Sequence, residues 1–353
     1  MRYVFTFICV LALGLMGCSE TSGTGGTCVD NVCPCTEAGI RAAIEVGGED
    51  PYTFDCNGAR TIVTEAEIVI DNDVILDGEG QLTVDGNETH GVFSVPEGTT
   101  AELRGFTITR GAQHPNPEAN VGGINNLGTL TLANSTVSGN VGAGIGNGGT
   151  LTATSITVRD NPGGGIDNEG ALTLNSSSLY VVSGISGPIT ITNSTLGKVF
   201  AAEGVTRVTL TSSTVVGEGV RLQGGVEAVL TGTIVDGGCG CGSFGPSDCA
   251  DYITSNGHNI ESSGDTCGFD QPTDQVNVSA DDLKLGELAD NGGPTMTHEP
   301  GAGTVAIDHI PAVDCEVDKD QRGQPRPETG GTMCDVGAFE AVSYTHLTLP
   351  TIV

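Results

Sequence analysis

The sequence predicts an all-β chain wound as a right-handed parallel β-helix of roughly eight to ten coils. Three observations carry that prediction. The first is a returning pattern: NNLGTLTL at 125–132, GNGGTLTA at 146–153 and DNEGALTL at 167–174, each starting 21 positions after the last. The second is a set of three apolar columns. One holds Leu130, Leu151, Leu172, Ile189, Val208 and Ala228. Two residues on come Leu132, Ala153, Leu174, Ile191, Leu210 and Leu230; five further come Val137, Val158, Leu179, Leu196, Val215 and Val235. Alternate inward residues are the signature of a strand, and self-similarity at about 20 residues is that of a solenoid. The third is composition: 55 Gly, 4% aromatic residues, no Trp and 37% hydrophobic residues. That balance suits many turns around a core of small side chains. Helical repeats conflict with the Gly and β-branched content, and the frame of a leucine-rich repeat is absent.

The elements follow in chain order. Residues 1–17 read as a lipoprotein signal peptide, with Arg2 ahead of an apolar run from Val4 to Leu15. Leu15-Met16-Gly17-Cys18 resembles a lipobox, which makes Cys18 the lipidation site and the bilayer a partner through its acyl anchor. Ser19, rather than Asp, follows it, so the expected address is the outer membrane or cell surface after export through Sec. Residues 18–34 are the anchor and a flexible tether. Residues 35–60 form an N-terminal cap. Within it TEAGIRAAIEVGG (36–48) predicts a short helix with Thr36 as N-cap, Gly47-Gly48 as stop, and Ile40 and Ile44 over the first coil. An open coil end exposes strand edges and needs such a cover.

The coils occupy 61–238. Ala101, Leu103 and Ile108 match the three columns one coil earlier, and AQHPNPEANVGG (112–123) bulges from a corner. Asn126, Asn147 and Asn168 share a column and are expected to hydrogen-bond from coil to coil. Gly128, Gly149 and Gly170 share another, where a turn is expected to need positive φ. From Cys239 the repeat is lost, and 239–340 reads as a loop-rich, disulfide-stapled C-terminal cap. VSYTHLTLPT (342–351) resembles the translation of a transposon-end adapter, so 341–353 is set aside as an artefact.

Two strings in the C-terminal region carry a resemblance. LGELADNGGPTMTHEPGAGTVAID (285–308) and DQRGQPRPETGGTMCDVGAFE (320–340) are similar to the choice-of-anchor Q domain-containing proteins, with TVAID where that family more often has SPAID. The resemblance implies a bacterial surface protein with parallel β-helix repeats, and no reaction.

Twelve cysteines are present. Cys9 leaves with the signal peptide and Cys18 is the anchor. The rest form an even set in an exported chain, which favours disulfides. Cys249–Cys267 and Cys315–Cys334 are the expected pairs, with the N-terminal connectivity open. Zinc at Cys239-x-Cys241 is disfavoured by its spacing. Asp71, Asp73, Asp77 and Asp85 offer hard oxygens on early turns where Ca²⁺ could bind, but water-facing Asx turns are the favoured explanation.

Net charge is −31, from 13 basic and 44 acidic residues, which excludes nucleic acid and anionic membranes as partners for the folded body. Catalysis of the pectate-lyase or polygalacturonase type needs converging carboxylates, or a basic group beside bound Ca²⁺. Asp281-Asp282 lies outside the repeats, and Arg104, Arg159, Arg207 and Arg221 form no column. No catalytic residue is therefore assigned. The outward positions beside the second apolar column instead rank threonines: Thr131, Thr152, Thr154, Thr173, Thr190, Thr192, Thr209 and Thr211. That face resembles the ice-binding surface of β-helical antifreeze proteins, and would equally face a glycan or surface protein. Thr is also simply a favoured strand residue. The expected function is thus a non-catalytic surface lipoprotein with a β-helix stalk, serving adhesion, glycan contact or envelope structure. A polysaccharide lyase or glycoside hydrolase is the first alternative and ice binding the second.

Overall fold

The computed structural model describes residues 26–112, 120–242 and 249–342. Cys18, most of the corner insertion and residues 343–353 lie outside them. Each coil carries short parallel strands that hydrogen-bond their equivalents in the coils before and after. In one coil these are Ala143–Asn147, Thr150–Thr154 and Thr157–Arg159, which define the first, second and third sheets. On the second sheet nine successive pairings link ten strands, from Pro51–Asp55 to Ile253–Ser255. The chain is therefore an all-β parallel solenoid of about ten turns, and its stacking runs past residue 238.

The apolar columns stack rung on rung. Leu130, Leu151, Leu172 and Ile189 pair in turn on the second sheet, and Ile108, Val137, Val158 and Leu179 on the third. The first sheet adds an inward row through Ile124, Ile145, Ile166, Val182, Val199 and Val220, all fully buried. Each such side chain contributes roughly 1.5–3 kcal/mol of hydrophobic stabilisation. The coil length shortens where corners are drawn into long bent strands, Ser178–Thr192 and Thr195–Thr211.

Polar ladders finish the corners. Asn126 Nδ2 donates to Asn147 Oδ1 at 2.7 Å, and Asn147 Nδ2 to Asn168 Oδ1 at 2.7 Å, as the shared column requires. A second ladder runs along the corner between the second and third sheets. The backbone N–H groups of Ile156, Ser177 and Ser194 donate to the hydroxyls of Ser177, Ser194 and Ser213 in the next coil. Just before each step a residue with positive φ (Ser155, Ser176, Asn193, Ser212) turns the chain.

Gly128, Gly149 and Gly170 are the exception to the expected corner chemistry: none has positive φ. A Cβ on Gly149 would lie 2.0 Å from Gly128 O, and one on Gly170 1.9 Å from Gly149 O. These glycines are needed because successive backbones touch there.

Both ends are closed. The helix Glu37–Val46 starts at Thr36, whose hydroxyl accepts from Gly39 N at 3.1 Å, and stops at Gly47 with φ 65°. Ile40 and Ile44 are buried under it. At the far end Glu261 occupies an inward position after Val235. Its carboxylate accepts from Thr266 N, Thr266 Oγ1 and Cys267 N at 2.7–2.9 Å, so this buried charge is satisfied.

Five disulfides staple these ends: Cys28–Cys33, Cys35–Cys56, Cys239–Cys267, Cys241–Cys249 and Cys315–Cys334. Cys315–Cys334 matches expectation, and Cys249–Cys267 does not form. Cys239 and Cys241 lie two apart on one strand, so both point inward on the last first-sheet rung. Each takes one cysteine from the loops crossing that end.

Residues 279–341 do not continue along the axis. They fold back along the flank as a clasp over the corner between the second and third sheets. Thr295 Oγ1 donates to Ser176 O, Thr195 Oγ1 to Gln321 Oε1, Ala338 N to Thr214 Oγ1 and Gly337 N to Gly232 O, at 2.6–3.1 Å. One grip thus falls on each of four successive coils.

Candidate functional site

The threonines stand where the column alignment puts them. Thr131, Thr152, Thr173, Thr190 and Thr209 occupy consecutive rungs of one outward row. Thr154, Thr192 and Thr211 lie in the neighbouring row, which Asn175 interrupts. The first row runs into Glu102 at one end and Val229 at the other. Most of these side chains are half-buried by their neighbours, and Thr154 is exposed.

The acidic candidates for Ca²⁺ are spread along their turns. Asp73 Oδ1 accepts from Thr100 N, Asp77 Oδ1 from Glu79 N and Asp85 Oδ1 from Asn87 N, at 2.7–2.8 Å. Asp85 also pairs with Arg110 at 3.1 Å, while Asp71 is exposed. The bonds of Asp77 and Asp85 close turns and that of Asp73 reaches the next coil, and no cluster of three metal-type ligands occurs among the described residues. The arginines are equally dispersed. Arg104 and Arg207 project from the second sheet, Arg159 from the third and Arg221 from the first. Asp281 and Asp282 sit in the first turn of a short helix, where Ser279 bonds Asp282. In the coils, Asp167 is pushed above the usual carboxylate range by burial and by nearby Glu169. Both belong to one strand and its following turn, so they do not face each other across a cleft.

The C-terminal strings have a structural destination. Asp320, Arg322, Arg326, Asp335 and Glu340 converge in the clasp interior. Arg326 Nε meets Glu340 Oε2 at 3.2 Å with both side chains about 99% buried (1% exposed), and Arg322 pairs with Asp320 at 2.7 Å. The Arg322 guanidinium lies 3.4 Å from the centre of the Phe339 ring. Two guanidinium groups meet three carboxylates. Burial, with Asp335 nearby, pushes the Glu340 carboxyl up to about 7 against the opposing pull of Arg326. Asp335 is raised as well, again by burial first. With Glu340 and Asp335 both raised, the buried cluster takes up a proton more readily than free carboxylates do.

The built cavity lies between the clasp and the third sheet. It is a groove of about 720 Å³. One wall is the antiparallel hairpin Leu285–Ala289 and Thr297–Pro300, where Leu288 pairs with His298, together with Met296. The other is the outward surface of the third sheet, with Arg159, Tyr180 and Gly197. Tyr180 is 63% exposed. Its hydroxyl donates to Glu218 Oε1 at 3.4 Å, and Lys198 Nζ donates to Glu218 Oε2 at 2.8 Å. Arg159 faces Asp160 at 3.5 Å. The chemistry on offer is an apolar slot with one aromatic platform and internally paired charges.

The expected site residues did not include this groove. A signal was available: the residues just after the third apolar column read Ser138, Arg159, Tyr180, Gly197, Val216 and Asp236. One column to the right, an aromatic stands beside a glycine. The opposing hairpin leaves no such trace in the repeats.

Neither a family model nor a curated protein matches the chain. Among solved structures, pectate lyase Pel9A is similar, with a TM-score of 0.44 and 14% identity over 85% of this chain and 90% of that one. The fold is established by the strand pairings themselves.

Proposed function

We propose that the protein is a non-catalytic surface lipoprotein of the choice-of-anchor Q type, held to the bilayer through Cys18, whose groove between clasp and coils contacts a glycan. The observation that carries this reading is the groove itself, apolar, open and furnished with exposed Tyr180. Aromatic platforms and apolar walls bind sugars through their C–H faces, and need no reacting group. The five disulfides agree with an oxidising compartment. A lyase or hydrolase reading is not favoured, because the arginines of the coils are dispersed over three sheets and the carboxylates beside them are already paired with them or close turns. The in-register threonine row supports ice binding as a second reading, which thermal hysteresis of the purified protein tests.

The first experiment uses the oxidised protein with Cys18→Ser, so that no lipid is added. It is incubated with neutral and acidic polysaccharides, with and without Ca²⁺, while retained binding, new reducing ends and unsaturated products are followed. Binding without new chain ends is expected. New chain ends would overturn the non-catalytic reading, and absence of any binding would overturn glycan contact.

A further inference from the structure

We propose that Tyr180 is a preset stacking subsite for the apolar face of an uncharged pyranose, so that the groove takes a neutral oligosaccharide. This rests on the glycan-contact reading and narrows it to one sugar class. Aromatic residues make up only 4% of the chain, yet this one is left 63% exposed. An exposed ring on a free side chain has to be ordered when a ligand binds, which costs affinity. Tyr180 is ordered beforehand. Beneath it the next coil has Gly197, where a Cβ would lie 2.7 Å from Tyr180 O and 3.1 and 3.4 Å from ring atoms Cδ2 and Cε2. The missing side chain lets the ring lie across the strand. Its tip is tied to Glu218 at 3.4 Å, and Glu218 is itself tied to Lys198 at 2.8 Å. The hydrogen bond from Lys198 holds the Glu218 carboxyl below the usual range, so the tie persists into mildly acidic solution. The ring rests over Gly197 and its hydroxyl reaches a long hydrogen bond to Glu218, and its free face carries the negative side of the quadrupole toward incoming C–H groups.

The charges select against acidic sugars. Lys198 is occupied by Glu218, and Arg159 faces Asp160 at 3.5 Å. Each cation thus already has a carboxylate neighbour, and a net charge of −31 disfavours a further one. On the opposite wall Leu288 and Met296 are apolar, and His298 Nδ1 is held at 2.7 Å from Gly286 O. A volume of about 720 Å³ lies within the usual range of small-ligand sites.

The test uses the oxidised Cys18→Ser protein with cellohexaose, chitohexaose and maltohexaose as neutral probes and hexagalacturonate as the acidic control. Binding is read by calorimetry and by the ring resonances of Tyr180. A neutral hexaose is expected to bind and to shift those resonances. Tyr180→Ala should weaken it by roughly tenfold or more, and Tyr180→Phe by less than about threefold. Gly197→Ala, which lifts the ring, should weaken it several-fold, with thermal unfolding confirming that each variant is folded. Neutral binding indifferent to Tyr180→Ala overturns the subsite and leaves glycan contact standing. Preference for hexagalacturonate overturns the sugar class alone. Silence with all four probes overturns both.

Discussion

The asparagine ladder gives a prediction that can be worked from its bonds. Asn147 sits in the middle. It accepts from Asn126 Nδ2 at 2.7 Å, and donates to Asn168 Oδ1 at 2.7 Å and Ala171 O at 3.0 Å. Asn147→Ala removes three hydrogen bonds, each contributing about 1 kcal/mol, and strips Asn168 Oδ1 of its donor at about 1–3 kcal/mol more. The expected loss is therefore about 4–6 kcal/mol. Asn126 stands at the ladder's start. It donates to Asn147 Oδ1 and to Thr150 O at 3.1 Å, while its own Oδ1 is buried with no donor among the described residues. Asn126→Ala removes two bonds and strips Asn147 Oδ1, but also deletes that unsatisfied oxygen. These last two effects cancel, which leaves about 2 kcal/mol. The same substitution in the same column should thus differ by at least about 2 kcal/mol between adjacent coils. Guanidinium unfolding of the oxidised protein, followed by far-ultraviolet circular dichroism, measures both. Equal losses at the two positions would refute the ladder accounting, since side-chain size and backbone setting are matched.

Three further predictions follow from the corners and the clasp. Gly149→Ala should destabilise by about 1–3 kcal/mol through overpacking against Gly128 O, visible as a lower unfolding midpoint; a neutral effect would show that the coils can part there. The Glu340 carboxyl titrates near 7 when folded and near its ordinary 4.5 when unfolded. Its contribution to stability is therefore full below about pH 4.5 and is lost as pH rises through about 7. Amide exchange in the clasp should accelerate between about pH 5 and about pH 8 beyond the intrinsic base-catalysed rise, and Glu340→Gln should abolish the excess. Non-reducing peptide mapping should recover Cys239 linked to Cys267 and Cys241 linked to Cys249. A Cys249–Cys267 peptide would contradict the way the last rung is closed.

Much of the coil interior was legible because a solenoid repeats its constraints. Leu130 must sit over Leu151 and Asn126 over Asn147, so the columns appear in the sequence as the structure has them. The helix at Thr36 was legible for a local reason, since its cap and its stop are written within a few residues of each other. The glycine column was visible but its cause was not. Positive φ and close backbone contact both demand Gly, and they differ only once the neighbouring coil is in place. The serine ladder was hidden by variety, because Ser, Thr and Asn serve the same acceptor role at different rungs.

The sequence by itself determined a winding of parallel strands, its inward columns, its cover at the first coil and the even set of cysteines. The tertiary structure alone decided that 279–341 turns back along the flank, that its charged strings bury themselves, which cysteines pair at the last rung, and that a groove opens beside Tyr180. The division has one physical origin. Periodic stacking is enforced between neighbours about 20 residues apart, and so leaves a regular trace. The clasp contacts join residues 105 to 126 positions apart through single bonds such as Gly337 to Gly232 and Thr195 to Gln321. Those depend on the fit of two finished surfaces, which no local pattern records.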